Sequence, residues 1–571
     1  MSTIFKKLKN LNAALALFLL LDLNGYAQGI DWLWAHGYGS DGINEAASYI
    51  ERDVNGNLIV SGWFEGANIQ FGPFTLINSN PGTKDLFLIK LDGNGNLTWA
   101  KSAGSIGNDI GGRLCTDANG NIYFTGSFSG YSINFDSISI NSPTSTLYNS
   151  DVFFVKYDTD GNALWAKNYG GDIELDGGVK PAIDISGNIY LTGNFYSPSL
   201  AFDTTIIYNN GISKSDFFIA KFDSLGNVIW AKNEGGIEND RCTDFYIDVN
   251  GNLILVGQFN SPTLLLGNDT LSNSTNLLYG DLFVVKYDNS GNVIWAKSAG
   301  GNQDDLISSV EADSNGNIYF TGGFSSDSII FGSYNLNNAG YRDVFIAKMN
   351  ANGNVLWAVK IGDSNSDSSN DIFIDSNGKL FITGNYSSAS LEIGNYTLTN
   401  QSLFSFSDIF IAEYDSLGNS NWATNIGGSH IDLIGNICSD SNGAKYIIGT
   451  FTSASIYFGP INLSMISTSG LYNDLFIAKF DGTNVGENKI ANNNNCTIAP
   501  NPFSDFTLVT FNEEQNNTQI RLIDIIGNQV KSFVFTGKQL FIKKDNLMPG
   551  LYFVQYIDKN KQLANYKIMV N

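Results

Sequence analysis

Carboxylates have the greatest capacity for chemistry in this chain, and they recur at fixed intervals. Thirteen turns read D-x-x-G-N or close to it, among them Asp53 to Asn57, Asp158 to Asn162 and Asp288 to Asn292. Alternating Asp and Asn oxygens could hold calcium. An EF-type loop, however, places Gly sixth and a bidentate Glu twelfth, and both are missing here. The competing role is a hairpin turn in which Asp caps the backbone and Gly takes the left-handed conformation, and it is the expectation adopted. A second acidic set, Glu45, Asp109, Asp176, Asp240, Asp305, Asp367 and Asp432, stands eight residues ahead of a turn acid in each case. Such a set is either a ring of cation ligands or a structural acidic ring whose oxygens accept backbone N–H bonds and lock Gly-Gly connections. Recurrence favours the structural role, and Lys90, Lys156, Lys221, Lys286, Lys348 and Lys479 are candidate ion-pair partners, with Glu413 breaking that series.

Other chemistry is sparse. The chain has two histidines, His36 and His430, both expected in connections, and no G-x-S-x-G, H-E-x-x-H or phosphate loop. No catalytic residue, metal site or cofactor is therefore nominated. A pair of acids working on a glycan is the remaining enzymatic option, and Asp172, Glu174 and Glu238 are the acids that depart from the repeat; the alternative is solvated loop acids. Four residues before the turn acid the types differ from copy to copy: Tyr49, Arg113, Lys180, Asp244, Ser309, Asp371 and Asn436. The next residue is apolar in every copy. One position packs a core, so the other, near a channel mouth, is the candidate ligand-binding set, against the alternative of a solvated lining with no ligand.

These residues are positioned by a repeat. Trp-Ala recurs at Trp34, Trp99, Trp165, Trp230, Trp295, Trp357 and Trp422, with spacings of 65, 66, 65, 65, 62 and 65. Each period holds a turn, an apolar run ending in Gly-x-aromatic, an insert of about twenty residues assigned as loop by its turn-rich composition, a D-x-F-I-A-K-Y/F-D run, a second turn, and Trp-Ala again. Four short strands per period predict an all-β fold: a seven-bladed β-propeller with four-stranded blades over residues 28–481. The chain enters on a Trp-Ala strand and leaves on a D-x-F strand, so the N-terminal strand is expected to complete the last blade and close the ring. Both kinds of turn then fall on one face. Inserts and Gly-Gly connections fall on the other, where variation concentrates.

Asp313-x-x-Gly316-Asn317-Ile-Tyr-x-Thr-Gly322, Asp343-x-Phe345-Ile-Ala-Lys348 and Trp357 resemble the bacterial SBBP β-propeller repeats, a likeness covering about four fifths of the chain. It implies a propeller and a surface or secreted protein, with no shared reaction. Past an Asn-rich linker, 482–495, the pattern changes. Pro500-Asn501-Pro502-Phe503, Ile523-Asp524-x-x-Gly527, Pro549-Gly550-Leu551-Tyr552 and Tyr566-Lys567-Ile568 resemble the type A C-terminal sorting domain of the type IX secretion system of Bacteroidetes, over 496–571. That likeness implies a small β-sandwich that directs passage across the outer membrane, with the secretion machinery as partner. Residues 1–27 read as a signal peptide: Lys6, Lys7 and Lys9, then an apolar stretch, then small residues up to Ala27. No transmembrane segment is expected once it is removed. A formal charge of −23 and a pI near 4.4 argue against nucleic acid as a partner. Cys115, Cys242, Cys438 and Cys496 show no metal-ligand spacing, and Cys115 and Cys438 are expected as buried free thiols.

Three functions stay open on these grounds. The first is an exported, non-enzymatic module binding a glycan or protein ligand. The second is a polysaccharide hydrolase or lyase, and the third a structural surface or matrix component.

Overall fold

A computed structural model describes residues 30–481 except 41–43, 143–148, 172–175, 212, 276–278, 403–405 and 468–471, and residues 496–570 except 500–502, 525–528, 546 and 558–562. The signal segment, the linker, Asp172 and Glu174 lie outside the described residues. The chain divides into two units, 1–483 and 484–571.

In the first unit the described residues form seven four-stranded antiparallel sheets and seven two-stranded ones. The second four-stranded sheet is typical, with Asp109–Thr116, Ile122–Phe128, Asp151–Tyr157 and Ala163–Tyr169 in spatial order. The first strand of each sheet packs beside those of the sheets before and after it, and the seventh packs against the first. In the seventh, Asp31–Tyr38 pairs antiparallel with Asp474–Asp481, so the start of the chain supplies the outer strand of the last sheet. His36 lies in that strand opposite Ile477 rather than in a connection.

The third strand is sandwiched on all sides, as Asp216–Phe222 shows with all seven residues buried, which explains its apolar D-x-F-I-A-K composition. The Gly of Gly-x-aromatic is a packing requirement. A Cβ on Gly126 would stand 2.3 Å from the Ile110 carbonyl oxygen and 2.7 Å from the Phe153 ring.

The inserts are more ordered than their composition predicts. Each carries a hairpin of two four-residue strands, such as Ser132–Phe135 with Ile138–Asn141. Ile133, Phe135 and Ile140 are buried beneath turn residues at the tip. Two short alternating runs, only four residues each, were masked by the Gly, Asn and Ser around them.

The D-x-x-G-N turns are saturated internally. Asp53 accepts the Asn55 and Asn57 N–H groups at 2.9 and 2.8 Å and the Asn57 side-chain amide at 2.8 Å. Their glycines also serve the seams. Gly161, at φ 79°, lies against the Trp99 ring of the preceding sheet, and the Trp99 indole donates to the Thr159 carbonyl at 3.2 Å. Trp295 to Ala351 and Trp357 to Ser416 repeat the contact, each at 3.1 Å.

The strand lysines do not pair with the second acidic set. Lys90 meets the turn acid Asp53 at 3.0 Å, Lys286 meets Asp248 at 2.8 Å and Lys479 meets Asp440 at 3.5 Å. The reason is position: each lysine stands at the turn end of its strand, and the acidic set at the opposite end. Where Glu413 replaces lysine, Lys379 replaces the turn Asn and the two pair at 3.1 Å.

Glu45, Asp109, Asp176, Asp240, Asp305, Asp367 and Asp432 are fully or almost fully buried at the crossovers. Asp240 accepts four bonds: Gly236 N–H at 2.7 Å, Asn260 N–H at 3.0 Å, Ser261 N–H at 3.1 Å and the Ser261 hydroxyl at 2.6 Å. Asp109 bonds Ser105 and Ser129, Asp176 bonds Gly171 and Ser197, Asp305 bonds Ser325 and Ser326, Asp367 bonds Asp363 and Ser388, and Asp432 bonds Ser453. Glu45 accepts from the Ser40 hydroxyl.

A further set was not singled out in the sequence: the opening Asp of each third strand. Asp216 and Asp408 accept insert N–H groups from Asn210 at 2.8 Å and Gln401 at 2.7 Å, beside Asp240 and Asp432.

In the second unit the described strands form one five-stranded sheet built on a long strand, Phe506–Asp524. It pairs with Gln529–Lys543 along most of its length, with Cys496–Ala499 near its start and with Gly550–Ile557 near its end. Val509, Ile520, Leu522, Ile542 and Val554 are fully buried in its core.

Burial holds several seam acids above the ordinary carboxylate range, against the pull of their hydrogen bonds: Asp109 and Glu45 at about 8, Asp216, Asp408 and Asp432 at about 7, Asp176 and Asp305 at about 6. A folded-state pKa above the unfolded one gives stability that is complete below the unfolded value and lost as pH rises through the folded one. The melting temperature should therefore fall by about 5 °C or more between pH 5 and pH 9, and should do so in high salt, where surface repulsion is screened. A flat or rising profile would contradict this assignment.

Candidate functional site

The seven variable residues are aimed inward by a backbone irregularity. In every first strand the pairing register slips just ahead of or at the variable position, between Ala47 and Tyr49, Gly178 and Lys180, Cys242 and Asp244, Ile307 and Ser309, and Ser369 and Asp371, and across Gly111–Leu114 and Ile434–Ile437. An extra residue there re-aims the side chain and tightens the local twist. The apolar neighbours Ile50, Leu114, Phe245, Val310, Ile372 and Ile437 pack between sheets, each no more than 2 % exposed.

Six of the seven line one cavity of about 250 Å³: Tyr49, Arg113, Lys180, Ser309, Asp371 and Asn436. Asp244 is buried beneath it. The seven bond to one another. Asp244 meets Arg113 at 2.5 Å and Lys180 at 3.1 Å, and accepts the Val310 N–H at 3.1 Å. The Ser309 hydroxyl lies 3.0 Å from Asp244 and 2.7 Å from Asp371. Asp371 accepts from the Asn436 amide and from Ile437 N–H at 3.1 Å. Asn436 in turn accepts the Ile50 N–H at 3.3 Å, and Arg113 stands 5.6 Å over the Tyr49 ring. Side chains from seven sheets thus form a continuous polar floor across the ring.

The electrostatics follow from this pairing. Burial pushes Asp244 up, but Arg113 and Lys180 outweigh it and hold its carboxyl below the usual range. Burial raises Asp371, with Arg113 only partly opposing it.

The cavity extends from this floor toward the turn-bearing end rather than toward the insert-bearing one, because its other walls are residues one to three places before the turns. Among them are Glu51, Arg52, Glu311, Phe373, Cys438 and Ser439. Neither Glu51 nor Glu311 has an ion pair among the described residues; Glu51 accepts the neighbouring Arg52 N–H, Glu311 has no side-chain hydrogen bond there, and both are half-buried. Burial raises Glu51 to about 7, with Lys180 partly offsetting it. Glu311 is pushed well above the carboxylate range for the same reason. These two acids were missed in the sequence, although they stand out at their own position, two before the turn, where the other copies carry Cys115, Ala182, Tyr246, Phe373 and Cys438.

Glu238 pairs with Lys214 at 2.6 Å. No group of three or more His, Cys, Asp or Glu side chains that could hold a metal occurs among the described residues. Cys115, Cys242 and Cys438 are free thiols, and burial raises all three. Of the sorting-motif residues, Pro500, Asn501, Pro502 and Gly527 lie outside the described residues. Gly550 opens the strand Gly550–Ile557, and the buried Tyr552 donates its hydroxyl to the Met548 carbonyl at 2.9 Å.

Comparison with known proteins bears first on the second unit. Residues 497–571 match the secretion system C-terminal sorting domain. That tail marks the chain for export by the type IX secretion system, to the cell surface or the medium. Over 84 % of its length the chain is 26 % identical to the uncharacterized WD repeat-containing protein L264 of Acanthamoeba polyphaga mimivirus, spanning 40 % of that protein. It is also 26 % identical, over 33 % of its length, to the regulatory protein FlaEY of Caulobacter vibrioides, spanning 20 % of it. The chain therefore spans well under half of either relative. Among solved structures, the Pan2 WD40 domain of Neurospora crassa aligns with 79 % of the chain and 96 % of its own at 10 % identity and a TM-score of 0.38. PorZ, a surface component of the type IX secretion system of Porphyromonas gingivalis, aligns with 94 % and 100 % at 10 % identity and a TM-score of 0.17. The all-β, propeller-like character rests on the repeated four-stranded sheets themselves.

Asp244 is the one anion neutralising two cations in this floor. Asp244→Ala should cost about 3–5 kcal/mol, because it strands buried charge, and should be read by denaturant unfolding. A loss below about 1 kcal/mol would show that the floor carries no structural role.

Proposed function

We propose that the chain is a seven-bladed β-propeller, exported by type IX secretion and released or displayed outside the cell, that acts as a non-enzymatic binding module. On this reading the seven four-stranded sheets are blades around one axis, the N-terminal strand closes the last, and the C-terminal strands form a small sandwich that serves as the export tag. The SBBP-type repeat reading belongs to the same proposal.

The observation that carries the binding role is the pair Glu51 and Glu311. The members of the polar floor are held by one another, whereas of these two acids on the cavity wall Glu51 accepts only the N–H of its neighbour Arg52 and Glu311 has no side-chain hydrogen bond or ion pair among the described residues. Burial raises both carboxyls, Glu51 to about 7 and Glu311 well above the carboxylate range, and in its protonated form each offers an O–H donor as well as a carbonyl acceptor. A small ligand rich in hydroxyls, such as one sugar residue of an extracellular glycan, suits both the chemistry and the cavity of about 250 Å³. The variable set Tyr49, Arg113, Lys180, Asp244, Ser309, Asp371 and Asn436 is then the base of that site.

The hydrolase reading is weaker for a physical reason. Glycan cleavage needs one carboxyl kept protonated and a second kept ionised, whereas burial pushes Glu51 and Glu311 in the same direction.

Glycan-array binding by purified residues 28–481 tests the proposal. A defined set of glycans should be retained, and Glu51→Leu with Glu311→Leu should weaken retention about tenfold or more, since each replacement removes both a donor and an acceptor, while leaving the melting temperature within a few degrees. Turnover of a polysaccharide, or retention indifferent to both replacements, would overturn it.

A further inference from the structure

A second cavity, of about 360 Å³, lies between the fourth and fifth four-stranded sheets, at their third and outer strands rather than at the first strands that carry the axial floor. Its walls include Leu282, Val284, Ala299, Phe331, Met349 and Val355, and Lys297 stands on its rim. Its volume falls within the range of small-molecule sites, about 300–1,000 Å³.

The repeats explain why the gap occurs here. Two positions fill each seam: the last residue of an outer strand and the last residue of the third strand of the next sheet. In the other six seams these are Ala103 with Tyr157, Tyr169 with Phe222, Glu234 with Tyr287, Ile361 with Tyr414, Ile426 with Phe480 (the equivalent repeat position, one before the end of Asp474–Asp481), and Tyr38 with Leu91. Each pair contains an aromatic ring. Tyr38 packs 5.1 Å from Phe71, and Tyr169 packs 4.7 Å from Phe202. The fourth seam has Ala299 with Met349 and no ring, so the space beside Phe331 stays open.

Charge at the rim differs in the same place. Lys101 and Lys167, at the register of Lys297, pair with the hairpin-tip acids Asp136 at 3.1 Å and Asp203 at 3.3 Å. At the fourth seam the tip residue is Gly332, and Lys297 has no ion pair among the described residues. The fourth seam therefore has neither a filling ring nor the tip acid that Lys101 and Lys167 meet, its tip being glycine as in four other hairpins, Gly72, Gly267, Gly394 and Gly459.

We infer that this crevice is a binding site for a small anionic amphiphile, its alkyl chain laid over Leu282, Val284, Ala299, Phe331 and Met349 and its carboxylate on Lys297. The apolar walls supply affinity and the unpaired ammonium selects for the anionic end.

Octanoate and its neutral isostere octanamide are the probes, titrated calorimetrically against residues 28–481. Octanoate should bind saturably with Kd below about 1 mM and about fivefold tighter than octanamide, the discrimination a partly exposed ion pair provides. Ala299→Tyr, which installs the residue found at this position in Tyr38 and Tyr169, should abolish binding of both without lowering the melting temperature. Gly332→Asp should instead remove only the preference for octanoate. Asp136 and Asp203 already hold φ 51° at that tip position, where Gly332 has φ 59°, so the backbone accepts the change. If Ala299→Tyr fails to fold, Gly332→Asp decides alone. Absence of saturable octanoate binding, or a preference for octanoate that survives Gly332→Asp, would overturn the inference.

Discussion

A carboxylate buried at each crossover is the interaction on which the rest of this structure depends. A chain that leaves one sheet and begins the next exposes backbone N–H groups where water cannot follow, and leaving them unpaired would cost about 1–3 kcal/mol each. Asp240 answers that cost at one seam by taking three backbone N–H bonds and a hydroxyl, and equivalent acids act at other seams. Because acids such as Asp109, Asp176 and Asp240 join a crossover to the base of the following insert, they fix the angle at which successive sheets meet, whereas Glu45 bonds only Ser40 of its crossover. That angle allows the seventh sheet to reach the first. The Trp and turn-Gly contacts add a second clamp at the outer ends of the sheets.

Once the ring is held from outside, its axis can tolerate diversity. The irregularity in each first strand turns one side chain per sheet inward, and no two of the seven are the same residue apart from Asp244 and Asp371. Asp244 neutralises Arg113 and Lys180 from two other sheets, and Asp371 takes hydrogen bonds from Ser309 and Asn436, so these groups of the floor satisfy one another. In the proposed binding role, ligand contact falls to the cavity wall beyond it, at Glu51 and Glu311.

Much of the architecture was legible in the sequence because it is written seven times. Trp-Ala spacing, the two kinds of turn and the unmatched end strands were enough to anticipate four-stranded sheets and the outer strand supplied by the start of the chain. Single positions were harder. The variable set was found by contrast between repeats, but its members' bonding to one another depends on distances across the ring that no local pattern records. Glu51 and Glu311 are hard to recognise in the sequence because they occupy a position that is apolar or small in most copies, outside the recurring acidic positions. The lysines were assigned to the wrong acids because sequence separation does not say which end of a strand a side chain occupies. The hairpins were hidden because four-residue strands give too short an alternation to stand out among turn residues.

If the repeated acids hold the scaffold together, hydrogen exchange read by mass spectrometry will show it at a single seam. In Asp240→Ala, the amides of Gly236, Asn260 and Ser261 should lose protection, and the loss should spread into the facing strands Asp216–Phe222 and Asp240–Ile247 on either side while the far side of the ring keeps its protection. Unchanged protection at those three amides would contradict the claim and show that the sheets are held by apolar packing alone.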